Sequence, residues 1–115
     1  QIHGGIAQGA GQALMEDMVS DPESGQLMTG SFMDYCMPRA DDLCTYEIGS
    51  NVVPTKINPL GIKGAGEAGT VGALAAVMNA VNDAMAHEGA EYVQMPATPQ
   101  KIWKALSDAR KGQAA

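Results

Sequence analysis

The sequence predicts an α+β fold: three main helices with a few short strands. Three observations support this. Apolar residues recur at helical spacing in three stretches, clusters of Asp, Pro, Ser and Gly separate those stretches, and one segment, 46–53, alternates as a strand does. At 115 residues the chain has the size of one domain, and a chain of this size buries roughly two thirds of its unfolded surface. A hydrophobic content of 45% with only 17% charged residues excludes disorder. No window approaches the roughly 18 consecutive apolar residues of a membrane-spanning helix.

The first helix grows out of a glycine-rich segment, Gly4, Gly5, Gly9 and Gly11. Ile6, Ala10, Leu14 and Met18 recur every four residues, and the turn chemistry of Asp21-Pro22-Glu23-Ser24-Gly25 predicts an end near Ser20. Met18-Val19 and Gln26-Leu27-Met28-Thr29 flank that turn as a short hairpin. Gly30 to Asp42 reads as irregular, and Tyr46 to Val53 as one strand closed by Pro54. A second glycine-rich segment, with Gly61, Gly64, Gly66, Gly69 and Gly72, opens the second helix. Its predicted inner face is Val71, Leu74, Ala75, Met78, Val81 and Met85, and Gly89 supplies the stop. The third helix has Thr98 as N-cap and Pro99 as first residue, with Ile102, Trp103 and Leu106 pointing inward. The tail, 107–115, is expected to fray.

Thirteen acids against seven bases give a net charge of −6. No basic stripe exists, which argues against nucleic acid. Cys36 and Cys44 lack CxxC spacing, and His3 and His87 are distant in sequence, so no zinc site is expected. The two cysteines read as buried or half-exposed reduced thiols of a cytoplasmic protein. The chain opens Gln1-Ile2-His3 without an initiator Met or a signal-peptide pattern, and reads as the C-terminal piece of something larger.

Two segments are candidates for chemistry. In Lys63-Gly64-Ala65-Gly66-Glu67-Ala68-Gly69-Thr70, glycines let backbone approach a ligand, and successive N–H groups ahead of a helix form an anion cradle. The GK-[ST] order of a phosphate-binding Walker loop is absent. GxGxxG spacing is present at 64–69, but the preceding Asn58-Pro59-Leu60-Gly61 makes a poor strand for a dinucleotide fold. Glu67 reads either as a first-turn acid favoured by the helix dipole or as a general base in a glycine-lined cavity. In the first segment, Gln8 and Gln12 lie one turn apart and would face one ligand, although small residues there equally suit close helix packing. Asp41-Asp42 reads as a solvated loop pair, and the eight Met as packing.

Five motifs in order then carry a resemblance: residues 4–14 (GGIAQGAGQAL), 29–35 (TGSFMDY), 37–43 (MPRADDL), 58–70 (NPLGIKGAGEAGT) and 95–99 (MPATP). Together they resemble the C-terminal part of the molybdenum-binding large subunit of the xanthine oxidase family, of the carbon monoxide dehydrogenase and aldehyde oxidase type. The resemblance implies that residues 1–115 are a segment of a larger molybdopterin-binding domain. It implies that Glu67 is the general base activating a metal-bound hydroxide that attacks a small substrate. Gln8, Gly9, Lys63, Gly64, Ala65 and Gly66 would contact the molybdenum molybdopterin dinucleotide. It further implies iron–sulfur clusters and FAD on other subunits or domains, with the remainder of the large subunit as an obligatory partner. No metal ligand is assigned within this chain, and the isolated chain is expected to be inactive. Two other readings are a non-catalytic phosphate- or nucleotide-binding module built on the two glycine-rich loops, and a structural or assembly piece.

Overall fold

The computed structural model describes residues 1–113. It contains helices α1 (Ile2–Leu14), α2 (Ala68–His87) and α3 (Pro99–Gln113), with a single 3₁₀ turn at Ala40–Asp42. Among the described residues the only β pairing is one antiparallel bridge, Ser20 with Leu27. The fold is therefore three helices with almost no strand.

Glycine dictates how α1 meets α2. Gly5 packs on Gly69 and Thr70, and Gly9 on Thr70 and Ala73, so the contacts advance together along both helices. The helices thus run in the same sense, with their N-termini at one end. A Cβ on Gly9 would lie 2.7 Å from the Ala73 Cβ and 2.9 Å from the Thr70 carbonyl oxygen. This backbone-to-backbone approach is open only to residues without a side chain.

Further along, α1 delivers Ala13 into a small core with Met78, Met85, Val93 and Ala97, backed by Val81, Ile102 and Ala105. The 95–98 loop, which contains a cis Met95–Pro96 bond, docks through the Ala97 N–H onto the Ala13 carbonyl at 2.7 Å. Asn82 ties the 90–94 segment to α2. Its amide nitrogen donates to the Met78 and Val93 carbonyls at 3.0 and 3.2 Å, and its oxygen accepts from the Val93 N–H at 2.8 Å. Asn82→Leu would strand both Val93 backbone groups, and is expected to cost about 1–3 kcal/mol, read from denaturant unfolding.

Local chemistry set the later boundaries as expected. α2 ends in a Schellman motif: Gly89 has φ +70°, its N–H reaches the Ala86 carbonyl, and the Ala90 N–H reaches the Met85 carbonyl. α3 starts at Pro99 behind Thr98, whose hydroxyl accepts from the Lys101 N–H. The helix continues to Gln113, through most of the 107–115 tail predicted to fray; residues 114–115 lie outside the described residues.

Other expectations require correction. α1 stops at Leu14 rather than near Ser20. Both the Met15 and Glu16 N–H groups turn back onto the Gly11 carbonyl, and the Tyr35 hydroxyl then donates to the Glu16 carboxylate at 2.7 Å, pinning the chain away from the helix axis. That bond raises the Tyr35 pKa above its ordinary 10.0. The 46–53 segment is not a strand, because no described segment pairs with it. The edge of the His3 ring meets the face of Tyr46, or the reverse, at 5.6 Å between centroids, which attaches this segment to the first turn of α1. Trp103 and Val71, expected inside, are each 71% exposed, and Ala75 is exposed too, since only one face of each helix meets the core. Cys36 and Cys44 are both free and exposed, not buried.

The hairpin survives as the bridge and its turn. Here Asp21 accepts from the Ser24 hydroxyl and from the N–H groups of Ser24 and Glu23, and these bonds, the hydroxyl first, lower its pKa from 3.8. A lowered native pKa contributes stability that is fully present above the unfolded value and lost as pH falls through the native one. The turn is therefore expected to loosen below pH 3.8. Ser24→Ala should move the Asp21 carboxyl titration, followed by NMR, back toward 3.8.

The shape is extended. The radius of gyration is 18.5 Å, against about 13 Å for a compact chain of this length. Residues 15–67 connect two side-by-side helices with almost no regular structure, and Met33 and Ile57 are 93% and 94% exposed. Self-contained domains leave few such apolar side chains bare in contiguous patches.

Candidate functional site at the paired helix N-termini

The parallel run of α1 and α2 brings the two glycine-rich segments to one end of the molecule. Two side-chain bonds join them. The Gln1 amide nitrogen donates to the Gly66 carbonyl at 2.9 Å, and the Thr70 hydroxyl donates to the Gln8 amide oxygen at 3.2 Å. Glu67 lies between these anchor points as the N-cap residue of α2, with φ −105° and ψ 8°. Its side chain makes no cap hydrogen bond and is exposed. It is not spent on capping the helix.

The predicted residues divide by use. Gln8, Lys63, Gly64, Ala65 and Gly66 are exposed around this end. Gly9 is buried in the α1–α2 seam, where its missing side chain serves helix packing. Gly64 and Gly66 have open space where a Cβ would stand. Among the described residues, the backbone N–H groups from Lys63 to Glu67 have no hydrogen-bond partner. Ahead of them, the Asn58 side chain closes its own turn by bonding the backbone of Leu60 and Ile62.

Unpartnered N–H groups, an ammonium, the amide nitrogen of Gln8 and two helix N-termini make a donor set suited to the phosphates of a dinucleotide cofactor. The residues present fit such a group. Sequence reasoning missed Gln1 and Thr70. Thr70 closes the second glycine motif, a usable signal, whereas nothing local marks Gln1.

Other candidates fall away. Asp42 caps the 3₁₀ turn by accepting from the Arg39 N–H at 2.8 Å. Among the described residues, no group of three or more His, Cys, Asp or Glu is arranged to hold a metal ion. No described helix is long and apolar enough to cross a membrane. An open groove of about 600 Å³ between the 89–93 segment and α3 includes none of the predicted site residues.

The chain is similar to known proteins of one family. The sequence pattern of the molybdopterin cofactor-binding domain matches residues 1–44. The chain is 43% identical over 105 residues to the nicotine 6-hydroxylase large subunit of Paenarthrobacter nicotinovorans, covering 91% of this chain and 13% of that protein. Among solved structures, quinoline 2-oxidoreductase from Pseudomonas putida 86 superposes with a TM-score of 0.86 at 41% identity, covering 93% of this chain and 14% of that one. Carbon monoxide dehydrogenase from Oligotropha carboxidovorans superposes with a TM-score of 0.88 at 33% identity, covering 96% and 14%.

The helices and their glycine-lined end are thus a segment of a molybdopterin-binding domain. The chain belongs to the molybdenum-binding large subunits of the xanthine oxidase family. It spans about an eighth of the length of these relatives. The free-standing nucleotide-binding module is not favoured, because the relatives are oxidoreductase subunits.

Proposed function

We propose that this segment helps form the active site of a molybdenum-dependent hydroxylase that oxidises a small molecule, with Glu67 as its general base. What supports this reading is the position of Glu67: exposed, free of any cap bond, and set between an open glycine loop and the first turn of α2. When bound, a molybdenum molybdopterin dinucleotide supplies the centre that takes two electrons from the substrate.

This chain's own residues do the rest. The N–H groups of Gly64, Ala65 and Gly66 and the Lys63 ammonium hold anionic oxygens of the cofactor, and the Gln8 amide adds a neutral donor. Gly9 contributes by letting α1 close on α2. The Glu67 carboxylate accepts the proton released when the substrate carbon is attacked.

Activity requires the remainder of the large subunit, because nothing among the described residues encloses Glu67, which is exposed. Iron–sulfur clusters and FAD, expected on partner subunits or domains, would supply the electron acceptors. Two free thiols, Cys36 and Cys44, accord with a reducing, cytoplasmic setting. The test is Glu67→Gln in the full-length subunit: loss of turnover at unchanged cofactor content supports the reading, and near-normal turnover overturns it.

A further inference from the structure

We propose that Gln1 and Thr70 are positioning residues that bracket Glu67 from either side, so that α1 fixes the turn presenting the carboxylate. This rests on the reading of Glu67 as the base. The residue before Glu67, Gly66, accepts a hydrogen bond from the Gln1 amide at 2.9 Å. Three residues after it, Thr70 donates to Gln8 at 3.2 Å. Both bonds cross more than sixty residues of sequence and join the same two elements.

The turn has few other restraints. Gly64 and Gly66 touch nothing with their open side, Glu67 makes no cap bond, and the local backbone bonds are the Ala68 N–H on the Ala65 carbonyl at 3.3 Å and, on the helix side, the Val71 N–H on the Glu67 carbonyl at 3.0 Å. A glycine loop with so little internal bonding samples many conformations. A general base works only within hydrogen-bond reach of its proton, and small displacements lose rate. The two side-chain bonds convert the rigidity of the α1–α2 seam, whose backbones touch at Gly5, Gly9 and Gly69, into a fixed origin for the Glu67 side chain. Gln8 consequently has a second use: its oxygen is committed to Thr70.

The experiment compares Gln1→Met and Thr70→Val with wild type in the full-length, cofactor-loaded subunit. Both replacements keep side-chain bulk and delete the donor. Each is expected to accelerate amide hydrogen exchange in peptides covering 64–70 while leaving α3 peptides unchanged. Each should lower kcat about tenfold, the loss of one hydrogen bond of about 1.4 kcal/mol, with KM little changed. Gln1→Lys, which retains an N–H donor within reach, should keep exchange and kcat close to wild type.

Wild-type exchange at 64–70 in either deletion variant overturns the bracket, as does a rate loss carried entirely by KM. Failure of the general-base reading is distinguishable: Glu67→Gln would then stay active while exchange at 64–70 still responds to Gln1→Met.

Discussion

Glu67→Gln in the full-length subunit is expected to lower turnover by about 10²- to 10⁴-fold, the usual contribution of a positioned general base. The replacement keeps the shape of the side chain and removes its ability to accept a proton at working pH. It should leave the fold intact, because the Glu67 side chain makes no cap bond and is exposed. Loss of its charge beside the α2 N-terminus costs about 0.3–1 kcal/mol at most. A plain first-turn acid would therefore show that small stability change and normal turnover, whereas a base shows the opposite. Turnover, molybdenum content and thermal midpoint, measured on one preparation, separate the two.

Gly69→Ala is expected to destabilise by about 1–3 kcal/mol or more, as overpacking in a closed seam does. The new Cβ would stand 2.6 Å from the Ile2 carbonyl oxygen and 3.0 Å from the Ile6 nitrogen. Both are helix backbone, so neither can swing aside as a side-chain tip would. The first turn of α1 must move away, and with it Gln1 and Gln8. Gly72→Ala, three residues on, is expected to act in the opposite sense. Nothing lies within 4 Å of its Cβ position, and alanine in an exposed helix interior is favoured over glycine by about 0.8–1 kcal/mol. Thermal unfolding of the two variants should bracket the wild type.

That contrast shows what was legible in the sequence and what was not. The end of α2 and the start of α3 were legible because Gly89 and Thr98-Pro99 act within a turn of their own position. The end of α1 was not: the spacing of Ile6, Ala10, Leu14 and Met18 continues past Leu14, while Tyr35, nineteen residues beyond Glu16, bends the chain away. Alternation at 46–53 predicted a strand that does not form, because alternation carries no information about a pairing partner.

The glycines were the hardest to read. Close helix packing and ligand approach both require a missing Cβ, so a glycine-rich string looks the same for either. Only the fold separates Gly5, Gly9 and Gly69, which face backbone, from Gly64 and Gly66, which face open space. Glu67 and its motif stood out as a candidate site in the sequence, while the long-range hydrogen bonds of Gln1 and Thr70 became visible only once α1 lay beside α2.

The same-sense pairing of α1 and α2 also imposes an order on folding. α1 carries four glycines in thirteen residues, each about 0.8–1 kcal/mol worse than alanine in a helix, and a helix this short is marginal alone. Closing the 15–67 connection costs about 3.5 kcal/mol in chain entropy before any constant is added. α1 therefore acquires its shape from α2 rather than the reverse. On a ribosome adding about 5–20 residues per second, α1 waits about 3–13 s for the partner surface some 64 residues behind it. The glycine-lined end is consequently a late product of synthesis, formed when Ala68 onward arrives to meet a segment made long before.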